Sequence, residues 1–220
     1  MKNILYLTPH LSTGGMPQFV LTRVKALLDQ DQYNIHLVEY NQYSAKYTVQ
    51  RDKIIDLLGS NFHTIGYLGK LTHEERGDRI KDILKELNPV VVHLDECPES
   101  FDNFNRMDPS FVDWLYSHHR PWCVVETCHN IWFDGKNKKW QPDAYAFCSP
   151  YHLSNNFKDN PGYKEVIEYP ITNIKPEARQ KLASKEQLKM DPNKVHVLNV
   201  GIWTQGKNTL EGVNIARTIN

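Results

Sequence analysis

The sequence predicts an α/β protein: a doubly wound parallel sheet, followed by the first strand–helix unit of a second domain. Three observations carry that reading. Short apolar runs such as residues 4–7 (ILYL) lack polar alternation, as strands buried on both faces do. These runs alternate with segments of helical periodicity through most of the 220 residues, the pattern of a parallel sheet covered by helices. A strand–glycine–helix device opens the chain, and a second one follows residues 195–200 (VHVLNV).

The elements follow in order. The first strand, residues 4–7, runs into the loop Ser12-Thr13-Gly14-Gly15. Pro17 suits the first turn of a helix over residues 17–30, where a missing N–H is harmless. Val20, Leu21, Val24, Leu27 and Leu28 give that helix one apolar face. Residues 34–40 (NIHLVEY) read as the second strand, and residues 51–59 as a helix with Ile54, Ile55, Leu57 and Leu58 inward. Residues 62–68 (FHTIGYL) read as the third strand. A helix over 72–87 starts with Thr72 and Glu75 at capping-box spacing, carries Ile80, Ile83, Leu84 and Leu87, and stops at Asn88-Pro89. Residues 90–94 form the fourth strand, 109–117 a helix, and 122–127 the fifth strand. Residues 145–148 form the sixth, 150–157 a short helix, and 166–169 the seventh.

The composition changes after that. Residues 173–194 are polar and charged, contain Pro176 and Pro192, and hold one helical stretch over 176–188. The expected organisation is a domain over 1–172, a linker over 173–194, and an incomplete domain over 195–220. One strand and one helix cannot bury their own apolar faces. The expectation is therefore that they dock elsewhere or that the chain is a piece of a longer protein.

Lys+Arg and Asp+Glu balance at 26 each, which gives no global attraction to nucleic acid. Four cysteines spread over a chain of ordinary core size suggest reduced thiols, not a disulfide framework. Met1-Lys2-Asn3 leads straight into the first strand, and no apolar run reaches membrane-spanning length. The expected location is the cytoplasm.

In an open parallel sheet, ligands bind beyond the carboxyl ends of the strands. The first strand delivers His10 and the Gly14-Gly15 loop there, the fourth His93, Asp95 and Glu96, the fifth His129 and Asn130, and the sixth Ser149. Two glycines allow close approach to the backbone, and free N–H groups at a helix start suit a phosphate or a hydroxyl-rich ligand. A tight turn with no ligand fits the same glycines, and polar residues at strand ends also serve as solvated caps. His118, His119, Cys123, Cys128 and His129 are close in sequence, but Cys123 and Cys128 face opposite sides of a strand, so no metal site is expected. Lys136, Lys138, Lys139 and Trp140, with Trp132 and Phe133 upstream, form either a solvated loop or an acceptor-facing or membrane-surface patch.

The order of these pieces resembles the retaining glycosyltransferases of the GT-B fold, group 1 family (family 4). Their Rossmann-like amino-terminal domain opens with a strand, a Gly-Gly loop and a helix, as in Thr8-Pro9-His10-Leu11-Ser12-Thr13-Gly14-Gly15. Residues 90–96, Thr127-Cys128-His129-Asn130, Cys148-Ser149-Pro150 and residues 167–171 are similar to later pieces of that domain. The carboxyl domain's opening is similar to Val200-Gly201-Ile202-Trp203-Thr204-Gln205-Gly206-Lys207-Asn208, with Ile202 at the family's arginine position. The resemblance implies a nucleotide-sugar donor as substrate, no tightly bound cofactor, and a glycan, lipid-linked or small-molecule acceptor. It places His129 beside the transferred sugar as the catalytic residue, and Gly14 and Gly15 against the acceptor and the donor phosphates. His10, Asp95, Glu96, Asn130 and Ser149 fall among the acceptor- and donor-binding residues, as does Gly201. Lys207 is implied as a point charge on the diphosphate.

Two other readings compete. A dinucleotide-dependent oxidoreductase needs a G-x-G-x-x-G turn and an acid ending the second strand. Gly14-Gly15 is a different pattern, and Glu39 matches in part. A non-catalytic carbohydrate- or nucleotide-binding module accords with Ile202 and the short carboxyl portion.

Overall fold

A computed structural model of the chain describes residues 1–12, 14–42, 48–66, 70–100, 106–167, 178–194, 196 and 209–218. It divides into two units, Met1–Ile171 and Thr172–Asn220. In the second unit, Ala178–Gln187 and Thr209–Thr218 are helical. The strand expected over 195–200 lies outside the described residues apart from His196, and Gly201, Ile202 and Lys207 lie outside them entirely.

The first unit is a doubly wound α/β sheet. Its strands are β1 (Lys2–Thr8), β2 (Tyr33–Glu39), β3 (Phe62–Thr64), β4 (Val91–Leu94), β5 (Cys123–Cys128), β6 (Ala144–Phe147) and β7 (Tyr163–Val166). They are ordered β3-β2-β1-β4-β5-β6-β7, and every pair is parallel. The chain winds outward from β1 in one direction through β3, then returns and continues in the other. The switch point therefore lies between β1 and β4.

Helices α1 (Gly15–Leu28), α2 (Val49–Leu58), α3 (His73–Leu87), α4 (Pro109–Leu115) and α5 (Pro150–Asn156) connect the strands. Successive residues of β1 enter different cores, which explains the unbroken apolar run. Ile4 and Tyr6, with Ile35 and Leu37, pack on Val20, Leu21 and Val24 of α1 and Ile54 and Leu58 of α2. Leu5 and Leu7, with Val92, Leu94 and Val124, pack on Ile80 and Leu84 of α3 and Phe111, Val112 and Leu115 of α4. Each such aliphatic side chain contributes ~1.5–3 kcal/mol by leaving water. Gly77 of α3 sits where a Cβ would come 2.9 Å from the Phe111 Cβ, so it sets how closely α3 and α4 approach.

Local signals account for several boundaries. The Glu75 N–H donates to Thr72 Oγ1 at 3.1 Å, and the Thr72 N–H donates to Glu75 Oε2 at 2.8 Å, closing the capping box that starts α3. Asn88 ends the helix in the left-handed region, at φ 42°. Asp108 caps α4 through the Phe111 N–H, with Pro109 in the first turn.

Three elements differ from expectation. Strand β3 ends at Thr64 instead of running to residue 68; residues 67 and 68 lie outside the described residues. On α2 the inward face is Arg51, Ile54 and Leu58, while Ile55 and Leu57 are 39% and 40% exposed. The cause is Glu39, fully buried at the end of β2, which requires a cation beside it. Arg51 supplies one, with Nε to Oε2 at 2.7 Å and Nη2 to Oε1 at 2.5 Å, and this turns the helix. Strand β7 begins at Tyr163, directly after Gly162 at φ 91°. It is an edge strand of alternating exposure, so apolarity did not mark its start.

Candidate functional site

Glu39 also accepts the Leu11 N–H at 2.7 Å, which ties the loop after β1 to the end of β2. In that loop Ser12 Oγ and His10 Nδ1 are 2.9 Å apart. Gly14 precedes α1 at φ 144°, a conformation that L side chains rarely adopt. A Cβ there would meet only Pro17 Cδ at 3.8 Å, so backbone conformation, not space, calls for glycine. Gly14 and Gly15 are both exposed at the start of α1. The carboxylate of Glu39, held by Arg51 and Leu11, is committed to the fold and is not presented to a ribose.

Beyond β4, Asp95 is 1% exposed, and neither of its carboxyl oxygens has a hydrogen-bond partner among the described residues. Its N–H donates to Leu7 O at 3.0 Å, which places it beside the end of β1 at the switch point. Burial raises its pKa from the ordinary 3.8 to about 7, Arg23 opposing and Glu96 adding to the shift. Glu96 is held at φ 126°, a strained conformation for a non-glycine residue. Burial also raises its pKa to about 7, against hydrogen bonds from the Cys97 and Asn130 N–H groups and Ser100. Two adjacent carboxyl groups thus titrate near neutrality at one strand end.

His129 follows β5 directly. Its ring meets Phe19 of α1 edge-on, with centroids 5.2 Å apart, and its Nδ1 lies 3.5 Å from Cys148 Sγ. Burial, then the charge of Arg23, brings its pKa down to about 4, so the imidazole is neutral at pH 7. Asn130 turns the chain, its Oδ1 accepting the Trp132 N–H at 3.0 Å. Ser149 caps α5 through its backbone, with no side-chain hydrogen bond to the helix.

The structure therefore brings Asp95, Glu96, His129 and Asn130 together around the ends of β4 and β5, with α1 leading from Gly14 and Gly15 into the same cluster through Phe19. His10 and Ser149 occupy the flanking loops. Sequence reasoning did not single out Arg23, and it named Cys148 only as part of the Cys148-Ser149-Pro150 motif, with no role. Arg23 carried a signal: it falls between Val20, Val24 and Leu27 along the apolar side of its helix.

Other groups lie elsewhere. Lys138, read as part of a basic patch, has a fully buried side chain between Glu126 and Glu99, while Trp132 is 87% exposed. Among the described residues Cys97, Glu126 and Cys128 converge within 4.8 Å, but Lys138 Nζ already sits 2.8 and 3.0 Å from the Glu126 oxygens. The Glu126 oxygens are thus already engaged by an ammonium. A 440 Å³ cavity lined by His118, Arg120, Trp122, Cys123 and Asp143 lies at the opposite, amino end of β5.

The raised pKa of Asp95 has a consequence for stability. Between about pH 4 and pH 7 the folded chain keeps a proton that the unfolded chain releases, so this group's stabilisation is complete below pH 4 and is lost as the pH rises towards 7. Asp95→Asn is expected to melt higher than the native chain at pH 8, by on the order of 2 kcal/mol, and equally near pH 4. Melting curves across pH check this, and a difference independent of pH would contradict it.

Comparison with known proteins matches no family model and no curated protein. Among solved structures, a sucrose-phosphate synthase from Thermosynechococcus elongatus aligns over 88% of this chain and 54% of its own, at 13% identity and a TM-score of 0.54. A deacetylase triple mutant described as involved in the teicoplanin biosynthetic pathway aligns over 56% of this chain and 62% of its own, at 15% identity and a TM-score of 0.33. The chain thus spans about half the length of the synthase, and what it shares with that protein is the α/β fold.

Proposed function

We propose that this chain is the acceptor-side portion of a glycosyltransferase that moves a sugar from a nucleotide-sugar donor to an acceptor hydroxyl, with retention. The observation that carries the reading is that Asp95, a buried carboxyl group with no hydrogen-bond partner among the described residues, and a neutral histidine, His129, lie at the carboxyl ends of the neighbouring strands β4 and β5. The order of the sequence motifs and the fold shared with the synthase support it.

In this reading the chemistry follows from protonation. A neutral His129 hydrogen-bonds a sugar hydroxyl without placing a second positive charge beside Arg23. Asp95 and Glu96, half titrated near pH 7, suit the uptake of the acceptor's proton. The acceptor oxygen bonds to the anomeric carbon, the bond from that carbon to the phosphate oxygen breaks, and a nucleoside diphosphate leaves. The exposed Gly14-Gly15 turn admits close approach of substrate, and Gly201 and Lys207 serve the diphosphate. The acceptor is a glycan, a lipid-linked sugar or a small molecule, no cofactor is held tightly, and the setting is cytoplasmic. Among the described residues no helix is long and apolar enough to cross a membrane. The oxidoreductase reading loses its acidic residue, because Glu39 is held by Arg51 and Leu11.

A transfer assay with a panel of nucleotide sugars tests the proposal. The 220-residue chain is expected to be inactive, and a chain lengthened beyond Asn220 to complete the second domain is expected to be active. Equal activity from both would place the donor site in the first unit. Inactivity of both across the panel would contradict transfer.

A further inference from the structure

Arg23 lies in the middle of α1, half-buried, and no carboxylate lies within ion-pair distance of it among the described residues. Its Nη1 donates to Thr127 Oγ1 at 2.7 Å and lies 3.2 Å from His93 Nε2. Thr127 Oγ1 and His93 Nε2 are themselves 2.6 Å apart. The guanidinium has only protons to offer, so Thr127 accepts from it and turns its own O–H towards His93. His93 Nε2 must then be the acceptor, which leaves the proton of this neutral ring on Nδ1. The ring is stacked on Tyr6 of β1, with centroids 4.8 Å apart. On the other side, the guanidinium carbon lies 5.2 Å from the centroid of Phe19, the ring that meets His129 edge-on.

We propose that Arg23 is the positioning residue of this site: it locks His93 and Thr127 into one hydrogen-bonded arrangement, and through Phe19 it fixes the ring of His129. The inference rests on reading the cluster as a sugar site, but its structural part stands apart from that reading. One cation thereby joins α1, β4 and β5 beneath the strand ends. The titratable groups that feel its charge are Tyr6 on β1, His93 on β4, Asp95 just beyond it, and His129 beyond β5. For His93 and His129 the charge adds to burial in disfavouring the protonated ring, and for Asp95 it works against burial. A bound sugar therefore meets a histidine kept neutral and a carboxyl group kept within reach of ionisation.

Two variants test the cation. Arg23→Gln removes the charge together with the reach of Nη1 to Thr127, whereas Arg23→Lys keeps the charge on a longer side chain than glutamine. The readout is the pH titration of the His129 ring carbon–proton signal by NMR in the 220-residue chain. In Arg23→Gln the His129 midpoint is expected to rise by on the order of 1 pH unit, and in Arg23→Lys it is expected to stay near that of the native chain. The acid limb of the transfer pH profile in the lengthened chain, set by Asp95 in the proposed reaction, is expected to move up as well in Arg23→Gln, because the cation that favours the ionised carboxyl group is gone. An unchanged His129 midpoint in Arg23→Gln, with a lowered melting temperature, would make Arg23 a structural pin only and overturn the proposal. A shifted midpoint in a chain that transfers no sugar would uphold Arg23 as the positioning residue and count against the transferase reading alone.

Discussion

Replacing His129 by alanine is expected to reduce sugar transfer by at least ~100-fold in a chain carrying both domains, the range seen when one positioned catalytic or hydrogen-bonding group is removed. The ring is held on three sides, by Phe19, Cys148 and the end of β5, so no neighbour can reproduce its position. Loss of its packing lowers stability by about 1–2 kcal/mol, too little to unfold a domain of this size. Activity and melting temperature must therefore separate. Rates measured well below the melting transition check this, and transfer that survives unchanged would remove His129 from the chemistry.

The largest effect on stability is expected at Lys138. Its ammonium lies 2.8 and 3.0 Å from the Glu126 oxygens and 2.7 Å from Glu99 Oε2, and Tyr116 donates to Glu126 at 2.5 Å. Burial is the largest influence on Lys138 and works against its charge, but Glu126, Cys97 and Glu99 together outweigh it and raise the pKa. Burial likewise pushes Glu126 up, with Lys138 and Tyr116 pulling it back. The Glu126 oxygens take two hydrogen bonds from the Lys138 ammonium and one from the Tyr116 hydroxyl, so the two buried groups are paired directly. Lys138→Met leaves that carboxylate buried against Tyr116 alone. The expected loss is ~3–5 kcal/mol, or about 10 °C in melting temperature. Adding Glu126→Gln is expected to recover much of it, because the stranded charge goes. Calorimetry of the single and double variants at pH 7 measures both, and a single variant that melts like the native chain would contradict the buried pair.

What could be read from the sequence was local. The unbroken run at residues 4–7, the apolar stripe from Val20 to Leu28, and the Thr72–Glu75 box each act within one element, and each appears in the fold. The polar residues after β4 and β5 were legible as strand-end residues because a parallel sheet places all such ends on one side. What escaped depends on partners distant in sequence. Glu126 reads as an ordinary strand residue, and Lys138 as one of several exposed lysines, until β5 and the following loop bring them together. Ile55 and Leu57 look like core until Glu39 draws Arg51 inward. Arg23 looks like a surface charge until β4 and β5, 70 and 104 residues further on, supply its acceptors.

A saccharide ligand is expected to bind at the carboxyl ends of β1, β4 and β5. The most direct measurement is an NMR titration of the 220-residue chain with simple glycosides and nucleotide sugars, following the ring signals of all ten histidines. The expected result is a saturable shift of His129 and His93, with His118 and His119, beside the cavity at the opposite end of β5, unmoved. Saturable shifts at His118 with His129 silent would contradict it and move the site to the other end of the sheet.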